Sequence, residues 1–175
     1  MIDGLVMFSG GLDSVVSTHL LKSQGLSIKA LHFVLPFYSG MGLSHERVRT
    51  YAEALDVPLM IVEEGEEFLE MIRDPRFGYG KNANPCMDCR IHSLRKARKI
   101  MESEDASFIA TGEVIGQRPM SQRLDCLYKV ESDTGLKGRL VRPLSAKLLR
   151  PSIPEQNGLI DREKLMAISG RGRNQ

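Results

Sequence analysis

No apolar run in this chain approaches the roughly 20 residues that a membrane-spanning helix needs, so the sequence predicts no membrane partner. No basic stretch precedes the first apolar run and no small-residue cleavage site follows it, so no export signal is read and a cytoplasmic location is expected. Cysteine is scarce: Cys86, Cys89 and Cys126 are the only three. A small, odd count speaks against a disulfide scaffold and for thiol or metal chemistry. Internal repeats and low-complexity tracts are absent, which excludes solenoids and disordered linkers. Formal charge is only +2, so net charge argues neither for nor against nucleic acid.

The distribution of charge says more. Residues 81–100 carry Lys81, Arg90, Arg95, Lys96, Arg98 and Lys99 against the single acid Asp88, and residues 139–150 carry Arg139, Arg142, Lys147 and Arg150 against none. Glu63, Glu64, Glu66 and Glu67 form an acidic cluster. Two basic segments are consistent with a polyanion site; either alone reads first as a solvated helix face.

The 175 residues fit one domain, 1–175. Short apolar runs alternate with segments of helical spacing. Strands are predicted over 2–8, 28–35, 57–62, 106–110 and 139–144, and helices over 13–22, 44–55, 68–72, 87–102, 121–130 and 161–168. Residues 39–42, 74–84 and 112–119 read as loops. The alternation predicts an α/β fold, a Rossmann-like three-layer sandwich on a parallel five-stranded sheet. Ligands of such sheets bind beyond the carboxyl ends of the strands. The turn at Ser9, the pair His32-Phe33, and Thr111-Gly112 all fall at predicted strand ends.

Ser9-Gly10-Gly11-Leu12-Asp13-Ser14 follows the first strand and opens the first helix. Gly10 and Gly11 let backbone amides approach phosphate oxygens, and the helix adds the partial positive charge of its N-terminus. Asp13 sits badly beside phosphate unless Mg2+ lies between them, or unless it caps the helix. No Gly-Lys-Ser/Thr follows, so this is not a Walker loop, and the dinucleotide Gly-x-Gly-x-x-Gly spacing is also absent.

Ser9 to Ser14 resembles the PP-loop of the N-type ATP pyrophosphatases, which adenylate a carbonyl-type oxygen, release pyrophosphate and let a nucleophile displace AMP. Ala30-Leu31-His32-Phe33, Thr111-Gly112-Glu113 with Gly116-Gln117 and Ser121-Gln122, and Val141-Arg142-Pro143-Leu144 extend the resemblance, discontinuously from about 2 to 150, to the catalytic domain of 4-thiouridine synthetases of the ThiI type. The resemblance implies that Met7, Phe8, His32, Phe33, Gly112 and Gln122 surround the adenosine of ATP, with Ser9, Gly10, Gly11, Asp13 and Ser14 on its phosphates. Taken alone, Phe33 is as readily core packing, and His32 a hydrogen-bonded strand end.

Cys86-Met87-Asp88-Cys89 departs from many ThiI-type chains. A helix start and Arg90 predict lowered thiol pKa values. Some PP-loop tRNA thiolation enzymes hold a [4Fe-4S] cluster on a cysteine pair plus one distant cysteine, which here implies Cys86, Cys89 and Cys126; zinc on the same residues and His92 is the alternative, and Cys126 is equally an inert small hydrophobe.

The expected function is ATP-dependent tRNA thiolation, in which a uridine carbonyl oxygen is adenylated with Asp13 and Mg2+ handling pyrophosphate. Sulfur from a cysteine desulfurase or sulfide is then delivered through Cys86 and Cys89. Arg90, Arg95, Lys99 and Arg142 are expected to hold RNA, with Arg142 alternatively on the triphosphate. Two other readings are a small-molecule acceptor of sulfur or ammonia, and a non-catalytic nucleotide- or metal-binding module. The phosphate loop begins at residue 9, so no separate N-terminal RNA-binding region is expected. The basic ending Gly170–Gln175 reads as a truncation, leaving RNA contacts to a homodimer or a partner.

Overall fold

A computed structural model describes residues 1–38, 43–80, 83–118 and 120–170. The loop expected over 39–42, Lys81, part of the loop expected over 112–119 and the basic ending from Arg171 lie outside the described residues.

Five strands form one parallel sheet in the order β3-β2-β1-β4-β5, as the alternation predicts. They are β1 (Gly4–Met7), β2 (Ile28–Val34), β3 (Leu59–Glu63), β4 (Phe108–Thr111) and β5 (Leu140–Val141). The helices are α1 (Leu12–Lys22), α2 (Leu43–Ala54), α3 (Glu66–Arg73), α4 (Cys86–Ser103), α5 (Leu124–Thr134) and the short α6 (Ile153–Gln156).

Side chains on a strand alternate between the two faces of the sheet, and the core divides accordingly. Val6, Ala30, Phe108, Ala110 and Val141 pack with Leu21 of α1 and Val48 and Ala52 of α2. Leu5, Leu31, Ile109 and Leu140 pack with Ile91, Leu94 and Met101 of α4 and Val130 of α5. The near-continuous apolar strands therefore bury both faces, as a parallel sheet requires. Gly4 is forced by its neighbour in the sheet: a Cβ there would stand 2.4 Å from the Phe108 ring, which is fully buried.

The strand order reverses between β1 and β4, so the crevice beyond their carboxyl ends is where a ligand fits. The phosphate loop leaves β1 at that point and Gly112 leaves β4 beside it.

Two expected elements differ. The helix expected over 161–168 is a single 3-10 turn, Arg162–Lys164. Beyond it the Met166 and Ile168 amides donate to the Pro143 and Leu144 carbonyls at 2.9 and 2.8 Å, which extends the chain. The strand expected over 139–144 shrinks to two residues, because Arg142 turns into buried ion pairs and Pro143 has no N–H for a ladder. The extended 166–170 segment then clips the loop that follows β4. Gly170 N donates to Ile115 O at 2.8 Å, while the fully buried Ser145 takes Ile115 N at 3.0 Å and donates to Ile168 O at 2.7 Å.

Candidate active site

At the crevice, the chain after β1 must turn sharply into α1. Gly10 takes a left-handed backbone, φ +72°, and a Cβ there would stand 3.1 Å from Val48 Cγ2. Ser14 closes the turn by donating from Oγ to the Gly11 carbonyl at 2.8 Å, and Ser9 Oγ accepts from Gly11 N at 3.3 Å. The hydroxyls of Ser9 and Ser14 lie 3.3 Å apart. Gly11 stands at the N-cap of α1 without a side-chain cap, so Asp13 is not the cap and no side chain occupies the helix N-terminus, the end that suits an anion.

Gly112 is required by the same geometry. A Cβ on it would stand 2.7 Å from both Asp13 C and Ser14 N, backbone atoms that cannot step aside. Gln117, five residues further along the same loop, donates from Nε2 to Asp13 Oδ2 at 3.1 Å. His32 Nδ1 donates to the Phe8 carbonyl at 2.9 Å, which fixes its tautomer and ties β2 to the start of the phosphate loop.

These segments line one cleft of about 610 Å³. Of the expected nucleotide residues, Met7, Phe8, Ser9, Gly11, Asp13, Ser14, His32, Phe33, Gly112 and Gln122 all line it, and Gly10 sits buried in the turn behind them. Gln122 is 6% exposed and its Oε1 has no hydrogen-bond partner among the described residues. A buried acceptor left open in this way fits a ligand donor.

Cys86 and Cys89 line the same cleft. They stand in the first turn of α4, and Arg90 and Ser93 extend the same helix face at i+4 and i+7 from Cys86. The sequence places a helix start here because Pro85 precedes it. The expected fall in thiol pKa does not occur at Cys89: burial raises it, more than the Arg90 charge lowers it. Cys126 also moves up, chiefly by burial and then by Asp125.

Cys126 does not join the pair. It packs against the α4 and α5 core on the side of Leu5 and Ile109 and is not among the residues lining the cleft. Among the described residues no group of three or more His, Cys, Asp or Glu is placed to hold a metal. The donor set for a three-cysteine cluster, or for zinc with His92, is therefore not assembled. His92 faces elsewhere, with Nε2 2.9 Å from Glu64 Oε2, and Lys96 shares that carboxylate. Asp13 does fit magnesium, because its carboxylate lines the cleft beside the phosphate loop.

The expected RNA-binding arginines separate. Arg142 is corrected: its side chain is only 2% exposed, with Nε donating to Glu113 Oε2 at 3.0 Å, Nη1 to Glu131 and Nη2 to the Leu127 carbonyl at 3.2 Å. A guanidinium so enclosed is spent on the fold and holds neither RNA nor triphosphate. Arg90 Nε lies 2.9 Å from Glu113 Oε1. Arg95 and Lys99 are exposed and line a separate groove with Arg76 and Phe77.

Glu113 was quoted in the sequence only as part of a resemblance, with no role. It is the buried carboxylate that both arginines share. Burial raises its pKa, but the charges of Arg90 and Arg142 outweigh burial and hold it at about 2. Arg118 and Asn84, which also line the cleft, were not singled out. Neither carries a periodicity or spacing signal, and only the folded loops bring them to the site.

Comparison with known proteins bears on this geometry. The family model described as "Thiamine biosynthesis protein (ThiI)" matches residues 2–147. A tRNA-specific 2-thiouridylase MnmA of Sulfurimonas denitrificans is 32% identical over 138 residues, covering 76% of this chain and 38% of its own length. A probable tRNA sulfurtransferase of Lysinibacillus sphaericus is 30% identical over 161 residues, covering 88% of this chain and 38% of its own. The chain thus spans little more than a third of the length of these relatives. Among solved structures, a predicted subunit of tRNA methyltransferase from Methanocaldococcus jannaschii superposes with a TM-score of 0.56 at 18% identity, over 91% of this chain and 74% of that one; this similarity carries the fold alone.

Proposed function

The chain belongs to the ThiI family of PP-loop proteins, and from that premise we propose that it is the ATP-using, sulfur-transferring unit of a tRNA thiolation enzyme. The observation that carries the reading is the sharing of one cleft by the phosphate loop and the Cys86/Cys89 pair. An adenylated acceptor formed at the loop then shares its cleft with a sulfur nucleophile.

In this reading the backbone amides at Gly10–Asp13 and the hydroxyls of Ser9 and Ser14 hold the ATP phosphates. Phe33 offers a flat apolar surface to adenine, and Gln122 Oε1 accepts from the adenosine. Asp13 would hold a magnesium ion, which neutralises charge on the departing pyrophosphate. A uridine carbonyl oxygen, O4 or O2, attacks the α-phosphorus; the α–β bond breaks and pyrophosphate leaves. A cysteine desulfurase leaves a persulfide on one of Cys86 and Cys89; its outer sulfur bonds to the activated carbon and AMP departs with the former carbonyl oxygen. The other thiolate then attacks the carrier's sulfur, releasing the thiouridine and leaving a Cys86–Cys89 disulfide that an external thiol reductant reopens. Arg95 and Lys99 touch RNA phosphates, which position the substrate without reading it.

The test is nucleoside mass analysis of tRNA after incubation with ATP, magnesium, a cysteine desulfurase with cysteine, and a thiol reductant. Thiouridine forms with the parent and is lost with Asp13→Ala and with Cys89→Ser. Equal thiouridine from all three proteins sinks the reading, and pyrophosphate release that ignores RNA points to a small acceptor.

A further inference from the structure

Around Cys86 and Cys89 the cleft wall is built from Asn84, Arg90, Ser93, Arg118 and Ser121. Its two arginines are not equivalent. Arg90 is engaged by Glu113, 2.9 Å away, and is mostly buried. Arg118 is exposed, and no carboxylate among the described residues pairs with it.

Its backbone is nevertheless anchored. Gln122 N donates to the Arg118 carbonyl at 3.2 Å and Gly116 N to the Gln122 carbonyl at 2.7 Å, which closes the loop on itself. The adjacent Gln117 is bonded to Asp13. The loop therefore presents to the cleft a guanidinium with no paired carboxylate among the described residues, near enough for its field to act on the Cys89 thiol. Gln117, not Arg118, makes the contact with the phosphate loop, whose own amides and helix terminus already serve the nucleotide.

We propose that Arg118 is a positioning residue that grips a backbone phosphate of the acceptor RNA, next to the nucleotide whose carbonyl is activated. The proposal rests on the RNA-thiolation reading. A guanidinium suits it because its planar fork meets two phosphate oxygens at once. The match to an otherwise unpaired cation on the cysteine side of the cleft places the strand so that the reacting base lies between the loop and the thiols.

The experiment measures pyrophosphate release against unfractionated tRNA for the parent, Arg118→Ala and Arg118→Lys, over a range of salt concentrations, with ATP affinity measured separately without RNA. Arg118→Ala raises the KM for tRNA about tenfold and lowers the salt slope by about one. Arg118→Lys recovers part of the loss, and ATP affinity stays at the parent's value, which also reports that the variant is folded. An unchanged KM and salt slope in a tRNA-responsive enzyme overturns this proposal alone. A weakened ATP affinity assigns Arg118 to the nucleotide and overturns it as well. A parent whose pyrophosphate release and binding ignore tRNA removes both the RNA reading and the proposal.

Discussion

Gln117 donates its side-chain amide to the Asp13 carboxylate at 3.1 Å, joining the loop after β4 to the loop after β1 across 104 positions of sequence. The bond orients the one acidic side chain of the phosphate loop and leaves its other oxygen for a cation. Asp13→Ala is expected to cut pyrophosphate release by about 100-fold or more, the scale seen when a preorganised electrostatic group is removed from a reacting phosphate. Gln117→Leu, which only releases the carboxylate, costs about 1 kcal/mol of that stabilisation. Steady-state pyrophosphate assays compare the two.

Gly112→Ala probes the packing of the loop on α1. The new methyl meets Asp13 C and Ser14 N at 2.7 Å, backbone atoms held by the helix. A destabilisation of about 1–3 kcal/mol is expected from such overpacking, with a parallel fall in ATP affinity because the first turn of α1 must shift. Urea unfolding and nucleotide titration on the same preparation check both.

The buried Arg90–Glu113–Arg142 group makes a prediction about acid. Glu113 titrates at about 2 in the folded chain against an ordinary 4.5, so its ionised form is favoured by folding. The stability it contributes is complete above about pH 4.5 and is lost as pH falls from there through about 2. Glu113→Gln takes the carboxylate from the partly buried Arg90 and leaves the buried Arg142 with Glu131 alone, and costs about 3 kcal/mol at pH 7. The gap between parent and variant in urea unfolding narrows below pH 4.5 and persists at neutral pH.

Cys89 is buried enough that its thiol pKa lies above the ordinary 9.0 despite Arg90 and Arg118. Alkylation of Cys89 by iodoacetamide, followed by peptide mass analysis, is therefore slow at pH 7 and reaches half its maximal rate above pH 9. Arg118→Ala removes a charge that lowers this pKa and moves the midpoint higher. Cys126→Ser, a change outside the cleft, leaves thiolation intact.

The sheet and its order of elements were legible because a parallel strand buried on both faces reads as a short apolar run, and each of the first four is followed here by a helix. The turn after β1 was legible for a similar reason: Ser9 to Ser14 lies in one stretch, and its hydroxyl and backbone contacts are local. Arg142 was misread because sequence shows charge but not the carboxylates that fold against it; Glu113 and Glu131 come from different elements. Cys126 was joined to Cys86 and Cys89 by resemblance, yet α5 turns it toward the core. The 3-10 turn at Arg162–Lys164 replaced a helix because the amides that a helix would use internally, at Met166 and Ile168, pair with Pro143 and Leu144. Such long-range competition for backbone donors leaves no trace in a local window.

The proposed activation of a uridine carbonyl by ATP in this cleft leaves an isotopic trace. The most direct measurement uses tRNA whose uridine carbonyl oxygens carry a heavy isotope, incubated with the protein, ATP, magnesium, a cysteine desulfurase with cysteine, and a thiol reductant, with the AMP product then weighed by mass spectrometry. Heavy oxygen in the AMP phosphate, in step with thiouridine formed, is the predicted result. AMP carrying only solvent oxygen, or no AMP at all, contradicts the account.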